Sequence, residues 1–408
     1  MDAQTYVAMI RDKHFFDLRK MEYKYSKELV AEMLQLLYQG DGKKLPLVDA
    51  EHRKLLYVNS MVRDTAAATK SLMGYAGTAR YSLSAVEEEI ISTLAIEQID
   101  TSRESVRHVL AGLAPQNAAE NRIAGMKKGF EFISDTGNRI TAESVRELYE
   151  LMVNPFLEHE ADRLGPHQLY RSGAVHIINQ TRQIPVHDGM AHTKLAYHMD
   201  ELFAFIQASD GMNDLHKAAA IHYYMAYLHP YFDGNGRMAR MVHLWYLLQH
   251  GYSASLFLPF SSIIQKTKPQ YYKAFDYTEH NALISGRMDI TPFLSYFSDV
   301  VYSRMGAYGF QNQSIDEFQQ LLAGGGVTEK EKELFHFVLS RYGMAEFSTK
   351  QLEKDFGNCA YATIRGFVLK LTQAGILEQH PYGNRNKYCL ASASHPVEEP
   401  HENTGITV

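Results

Sequence analysis

The chain has little cysteine, no excess of positive charge and no long apolar run. Its 408 residues include two cysteines, Cys359 and Cys389, too few for a disulfide framework and in keeping with a reducing compartment. The formal net charge of -6 argues against a chain that is basic throughout, though one domain could still be basic. No stretch approaches the roughly 20 apolar residues that span a bilayer. Met1 to Lys20 mixes charges with short apolar stretches and lacks the apolar core of a secretion signal. These absences predict a cytoplasmic protein with no membrane partner, long enough to hold more than one domain.

What is present concentrates in one span, His229-Pro230-Tyr231-Phe232-Asp233-Gly234-Asn235-Gly236-Arg237-Met238-Ala239-Arg240. Apolar residues at near-helical spacing precede it (Ile221, Met225, Leu228) and follow it (Met241, Leu244, Leu248), up to Gly251 as a helix stop. Pro230 and the Gly234–Gly236 triplet break the helix between them, so the layout is helix, tight loop, helix. Gly234 and Gly236 let successive backbone N–H groups turn toward an anion at the start of the second helix, where unpaired N–H groups and the dipole favour phosphate. Arg237 and Arg240, three apart and so on one face, can fork onto further phosphate oxygens. Asp233 is a hard oxygen ligand placed for a magnesium ion between phosphates. His229, with a side-chain pKa near neutrality, suits a general base. No Lys stands in the loop, which excludes the GxxxxGK[ST] phosphate loop.

This run resembles the signature of the Fic family (filamentation induced by cyclic AMP), HPFx[DE]GNGRxxR, with Tyr231 in place of the usual Phe. The resemblance implies a mainly α fold: a Fic-type helical core with a small β-hairpin flap, here followed by a C-terminal winged helix-turn-helix. It implies an enzyme that moves AMP from Mg-ATP to a hydroxyl side chain of a target protein, the chain itself included. His229 would be the base, Asp233 the magnesium ligand, Gly234, Asn235 and Gly236 the anion nest, and Arg237 and Arg240 the grip on the outer phosphates. Gly236 favours adenylyl transfer, because the Doc-type relatives that transfer phosphate carry Lys there. Upstream, Thr93 and Glu97 match the family's inhibitory [ST]xxxE[GN] motif, with Gln98 departing from its last position. In that motif the glutamate pairs with the second signature arginine, here Arg240, and one guanidinium cannot fork to a carboxylate and a phosphate at once.

The alternation and β-branching from Tyr170 to Ile177 predict a short strand, turn residues run from Asn179 to Gln183, and Ile184 opens an extended exit. This resembles the Fic flap, giving Thr181, Arg182, Gln183 and Ile184 as residues that pair with an extended target segment. Arg171 matches a family arginine before the flap, with support or catalysis as its role. Tyr271 and Tyr272 are candidates for the adenine and ribose side, or plain core aromatics. The expected organisation is an N-terminal helical region (1–79), a Fic domain with its inhibitory helix (80–305), a linker (306–327) containing Gly324 to Gly326, a winged helix-turn-helix (328–391) and a disordered tail (392–408). In the winged region the helix Ala360–Ala374 would offer Tyr361, Thr363, Arg365 and Lys370, and the wing Arg385 and Lys387, making DNA a candidate partner beside a second copy of the chain. Two other readings stand beside adenylyl transfer: removal of AMP from a modified protein at the same site, with Glu97 as base on a water, and a nucleotide-sensing, DNA-binding regulator.

Overall fold

A computed structural model describes residues 1–63, 65–73, 83–179, 184–252, 255, 259–307, 318, 321, 325–342, 346–357, 359–382 and 385–391. The fold is mainly helical, with three two-stranded antiparallel sheets among those residues. None of their helices is long and apolar enough to cross a membrane. The chain divides into two compact units, Met1–Gly306 and Ala307–Val408.

In the first unit α1 (Ala3–Ile10), α2 (Leu18–Tyr25) and α3 (Lys27–Asp41) enclose a small core of Met9, Met21, Val30 and Met33. A hairpin then follows, β1 (Gly42–Val48) and β2 (Lys54–Val58), where the helical reading of residues 1–79 expected none. Its partners explain it. Leu56 exchanges backbone hydrogen bonds with Met288 and Ile290, far along the chain, and Val48 O accepts from the Tyr224 hydroxyl at 2.7 Å. Such pairings leave no local trace, because β-propensity reflects the surface a strand packs on. Helices α4 (Ala66–Met73), α5 (Leu83–Ile96), α6 (Arg103–Leu110), α7 (Ala118–Ser134) and α8 (Ala142–Met152) continue the unit. Thr141 caps α8 through a reciprocal box with Ser144.

The flap hairpin is β3 (His176–Asn179) with β4 (Ile184–Asp188). The strand expected from Tyr170 starts only at His176, because Arg171 N–H instead donates to Pro230 O at 2.9 Å. Then come α9 (Leu195–Gln207), α10 (Asp214–Leu228), α11 (Asn235–Gln249), α12 (Phe260–Lys266), α13 (Lys268–Ser285), α14 (Thr291–Tyr296), a wider π-type turn over Phe297–Tyr302, and α15 (Ser303–Ala307). Helix α10 is buried all round except at Asp214 and Ala226, and α11 buries nearly as much, so the pair forms the centre of the unit. The site loop joins two elements that cannot shift without exposing the core.

The second unit holds α16 (Glu329–Arg341), α17 (Thr349–Phe356), α18 (Tyr361–Gln373) and the hairpin β5 (Leu377–Tyr382) with β6 (Arg385–Leu390), over a core of Phe335, Phe347, Ile364, Val368 and Leu390. Phe347 bridges to Tyr388 along the free edge of β6.

Candidate active site

Helix α10 ends at His229, whose backbone lies in the left-handed region (φ 52°, ψ 58°). That conformation costs an L residue about 1–2 kcal/mol. Arg171 offsets it: its Nε donates to His229 O at 2.7 Å, and its terminal nitrogens donate to Gly173 O and Met190 O. The guanidinium is buried, its pKa drawn down by that burial, and it clamps the approaches of the hairpin to the turn at His229. Arg171 is therefore a positioning residue. The His229 imidazole faces Ala226 O through Nδ1 at 3.4 Å, which favours the proton on Nδ1 and leaves the lone pair on Nε2.

Within the loop Asn235 is an internal brace. Its Oδ1 accepts from Tyr231 N–H at 2.9 Å and its Nδ2 donates to Tyr231 O at 2.8 Å. The side chain is thus engaged inside the loop, and the backbone N–H is what it has to offer an anion. Tyr231 itself is buried and stacks on Tyr149 with ring centres 3.7 Å apart. Gly234 sits at φ 80°, and a Cβ there would meet Val153 Cγ1 at 2.5 Å. Asp233 points outward; Oδ1 accepts from Gly234 N–H at 2.6 Å and Oδ2 from Arg237 Nη2 at 3.2 Å.

The inhibitory-motif residues meet this loop directly. Arg240 is buried, donates through Nε to Thr93 Oγ1 at 2.7 Å, and through Nη2 to Thr93 O at 3.3 Å and Glu97 Oε1 at 2.5 Å. A Cβ on Gly236 would lie 2.2 Å from Glu97 Oε1, so the carboxylate rests on the bare glycine at the mouth of α11. Burial pushes Glu97 up, but Arg240, with Arg237 and Lys268, more than offsets this and holds it below the usual carboxylate value. The same pairing raises Arg240 against its own burial.

Glu97 is presented by the way α5 stops. Ile99 N–H reaches Leu94 O and Gln98 N–H reaches Ala95 O, a Schellman ending with Gln98 left-handed at φ 59°. Gln98 therefore does the work usually given to Gly or Asn. Two further residues join the site that sequence reasoning did not single out. Lys268 Nζ donates to Ile96 O at 2.6 Å and so fastens the end of α5. Glu89, four residues before Thr93 and eight before Glu97, is buried on the same helix face and accepts from Ser261 N–H at 2.9 Å. The i, i+4, i+8 spacing was the signal for Glu89; Lys268 left none.

On the adenine side, Tyr271 is buried with its hydroxyl 2.9 Å from His222 Nε2, whereas Tyr272 is 41% exposed with Lys268 Nζ 5.8 Å from its ring centre. Of the flap residues Ile184 pairs with Asn179, while Thr181, Arg182 and Gln183 lie outside the described residues.

The arrangement suits a nucleotide. Arg237 Nε is buried with no partner among the described residues, a donor left over for an anion. The Gly236 surface already carries a carboxylate, and Asp233 keeps lone pairs toward solvent that fit a magnesium ion.

Residues 139–247 match the Fic/DOC family. The protein adenylyltransferase Fic of Culex quinquefasciatus is 24% identical over 221 residues, which is 52% of this chain and 39% of that protein. That of Drosophila ananassae is 23% identical over 191 residues, 46% of this chain and 34% of that protein. The chain thus spans well under half the length of these relatives. Among solved structures, a Fic family protein from Desulfovibrio desulfuricans G20 covers 81% of this chain and 95% of its own at 19% identity and a TM-score of 0.49. Fic-1 from C. elegans (aa134–508) covers 69% of this chain and 76% of its own at 15% identity and a TM-score of 0.45. The Fic/DOC match runs over residues 139–247 and encloses the whole loop from His229 to Arg240.

Proposed function

We propose that the chain transfers AMP from ATP to a hydroxyl side chain of a target protein and that Glu97 restrains it. The observation that carries this reading is the Glu97 carboxylate on Gly236 and Arg240, an anion held where the loop is built to hold one. The Fic/DOC match over residues 139–247 and the adenylyltransferase relatives support the reaction class. His229 Nε2 takes the proton of the target hydroxyl; the alcohol oxygen bonds to the α-phosphorus, and the bond from that phosphorus to the β-phosphate oxygen breaks, releasing diphosphate. The N–H groups at the start of α11 and the Arg237 and Arg240 guanidinium groups hold phosphate oxygens, and Tyr272 offers a ring face to the base. Asp233 would hold a magnesium ion, which supplies charge neutralisation on the phosphates. With Glu97 on Arg240, the outer phosphates lose one of their two arginines.

Labelled ATP tests this. Self-labelling or labelling of lysate proteins should rise at least about tenfold in Glu97→Gly, as expected for freeing one buried charge-assisted bond, and vanish in His229→Ala. Equal labelling in those two variants would overturn the assignment.

For the second unit we propose a winged helix-turn-helix on the order of its helices and hairpin. Lys370 is paired to Glu331 at 2.8 Å and Lys387 to Glu346 at 3.2 Å, which leaves Arg365 and Arg385 as the exposed cations of the expected set. That charge supports a protein partner over DNA.

A further inference from the structure

The outer face of the second unit's hairpin carries a group of side chains that adenylyl transfer does not use. In antiparallel pairing Glu378 stands opposite Cys389 and His380 opposite Lys387, so the alternation puts all four on the face opposite Leu377, Tyr388 and Leu390, with Cys389 itself nearly covered at 8% exposure. Phe347, paired to Tyr388 on the other edge of β6, brings its neighbour Glu346 to that face too. The ligand atoms of Glu378, His380 and Cys389 all lie within 4.8 Å of one another, and His380 Nε2 is 3.6 Å from Glu378 Oε2. Bonds of about 2.0–2.3 Å to a tetrahedral ion put ligand atoms roughly 3.3–3.8 Å apart, so the trio needs side-chain adjustments of about 1 Å to close.

A second feature goes beyond proximity. His380 Nδ1 is 2.9 Å from Glu346 Oε1, and Lys387 Nζ holds the other oxygen of Glu346 at 3.2 Å. A carboxylate on Nδ1 fixes the tautomer and turns Nε2, lone pair outward, toward Glu378 and Cys389. That is the carboxylate–histidine arrangement that orients metal-bound imidazoles.

We propose that this face binds one Zn²⁺ through His380 Nε2, a Glu378 oxygen and the Cys389 sulfur, with solvent in the fourth position and Glu346 orienting the histidine. The donor set selects the metal: thiolate and imidazole favour zinc over magnesium or calcium, which take oxygen. Binding exchanges the thiol proton for the metal and cross-links β5 to β6, fastening the wing of the second unit.

The test uses the full chain carrying Cys359→Ser, so that Cys389 is its sole thiol. After chelation and removal of the chelator, Zn²⁺ alone should bind one per chain and slow alkylation of Cys389 by iodoacetamide about tenfold or more. Co²⁺ should give a thiolate charge-transfer band. Glu346→Gln should weaken Zn²⁺ binding by about 10–100-fold, and His380→Ala should lose the one-to-one complex while keeping its helical circular dichroism. The proposal falls if Zn²⁺ leaves the alkylation rate of the Cys359→Ser protein unchanged. It falls equally if His380→Ala binds Zn²⁺ as tightly as its parent.

Discussion

His229 carries two burdens, chemical and conformational. As the proposed base it needs an imidazole, yet its φ of 52° is one that suits glycine. Local strain of this kind persists where surrounding structure over-determines it, and Arg171 supplies that structure through His229 O. The two burdens separate by mutation. His229→Ala and His229→Gly should both abolish labelling, but the glycine variant should be more stable than the alanine variant by about 1 kcal/mol. Urea unfolding of the two measures it; equal midpoints would mean that the turn relaxes once the ring is gone. Asn235 makes the opposite point at the same scale. The resemblance gave it to the anion nest, and the fold spends its side chain on Tyr231.

At the scale of elements, the restraint proposed for Glu97 depends on where α5 stops. Glu97 is the first residue past its end, Gln98 turns the chain away, and Lys268 from α13 grips Ile96 O. A left-handed Gln98 is the weak member, so Gln98→Gly should steady the ending by about 0.5–1 kcal/mol and lower basal self-labelling roughly two- to fivefold. Basal labelling that rises instead would show that the Gln side chain, not the backbone, holds Glu97. The elements also show what a sequence can disclose. The helices α10, α11 and α18 were legible because each buries one stripe or a whole surface, and Gly251, at φ 84°, stands just past the end of α11. The loop was legible because its chemistry is contiguous. The hairpin of β1 and β2 was not, since its reason for being is Met288 and Ile290 more than 200 residues away. Lys268 was hidden for the same reason: its partner is a carbonyl, which has no letter.

At the scale of the whole first unit, buried titratable groups pull stability in opposite directions with pH. His222 and His243 lie 5.6 Å apart among aromatic rings, and burial holds His222 well below its usual value and His243 down to about 3. Below pH 6.5 the unfolded chain takes up their protons and the folded chain does not, so they remove stability as pH falls. Burial pushes Glu89 and Glu279 up to about 7. For these the folded chain protonates first, so each adds stability as pH falls from 7 to 4.5. Two losses and two gains of about 1.4 kcal/mol per pH unit nearly cancel between pH 6.5 and 4.5, and acid weakens the unit through the histidines only below that window. Glu89→Gln breaks the balance while keeping an oxygen for Ser261 N–H. Relative to wild type its stability should be unchanged below pH 4.5, climb by about 1.4 kcal/mol per unit to pH 7, and level off roughly 3 kcal/mol higher. Denaturant midpoints taken at pH 4, 5.5 and 8 read that curve. A flat difference would mean that Glu89 stays ionised against Arg240, making the buried face of α5 a line of charge rather than a protonated contact released as the pH rises.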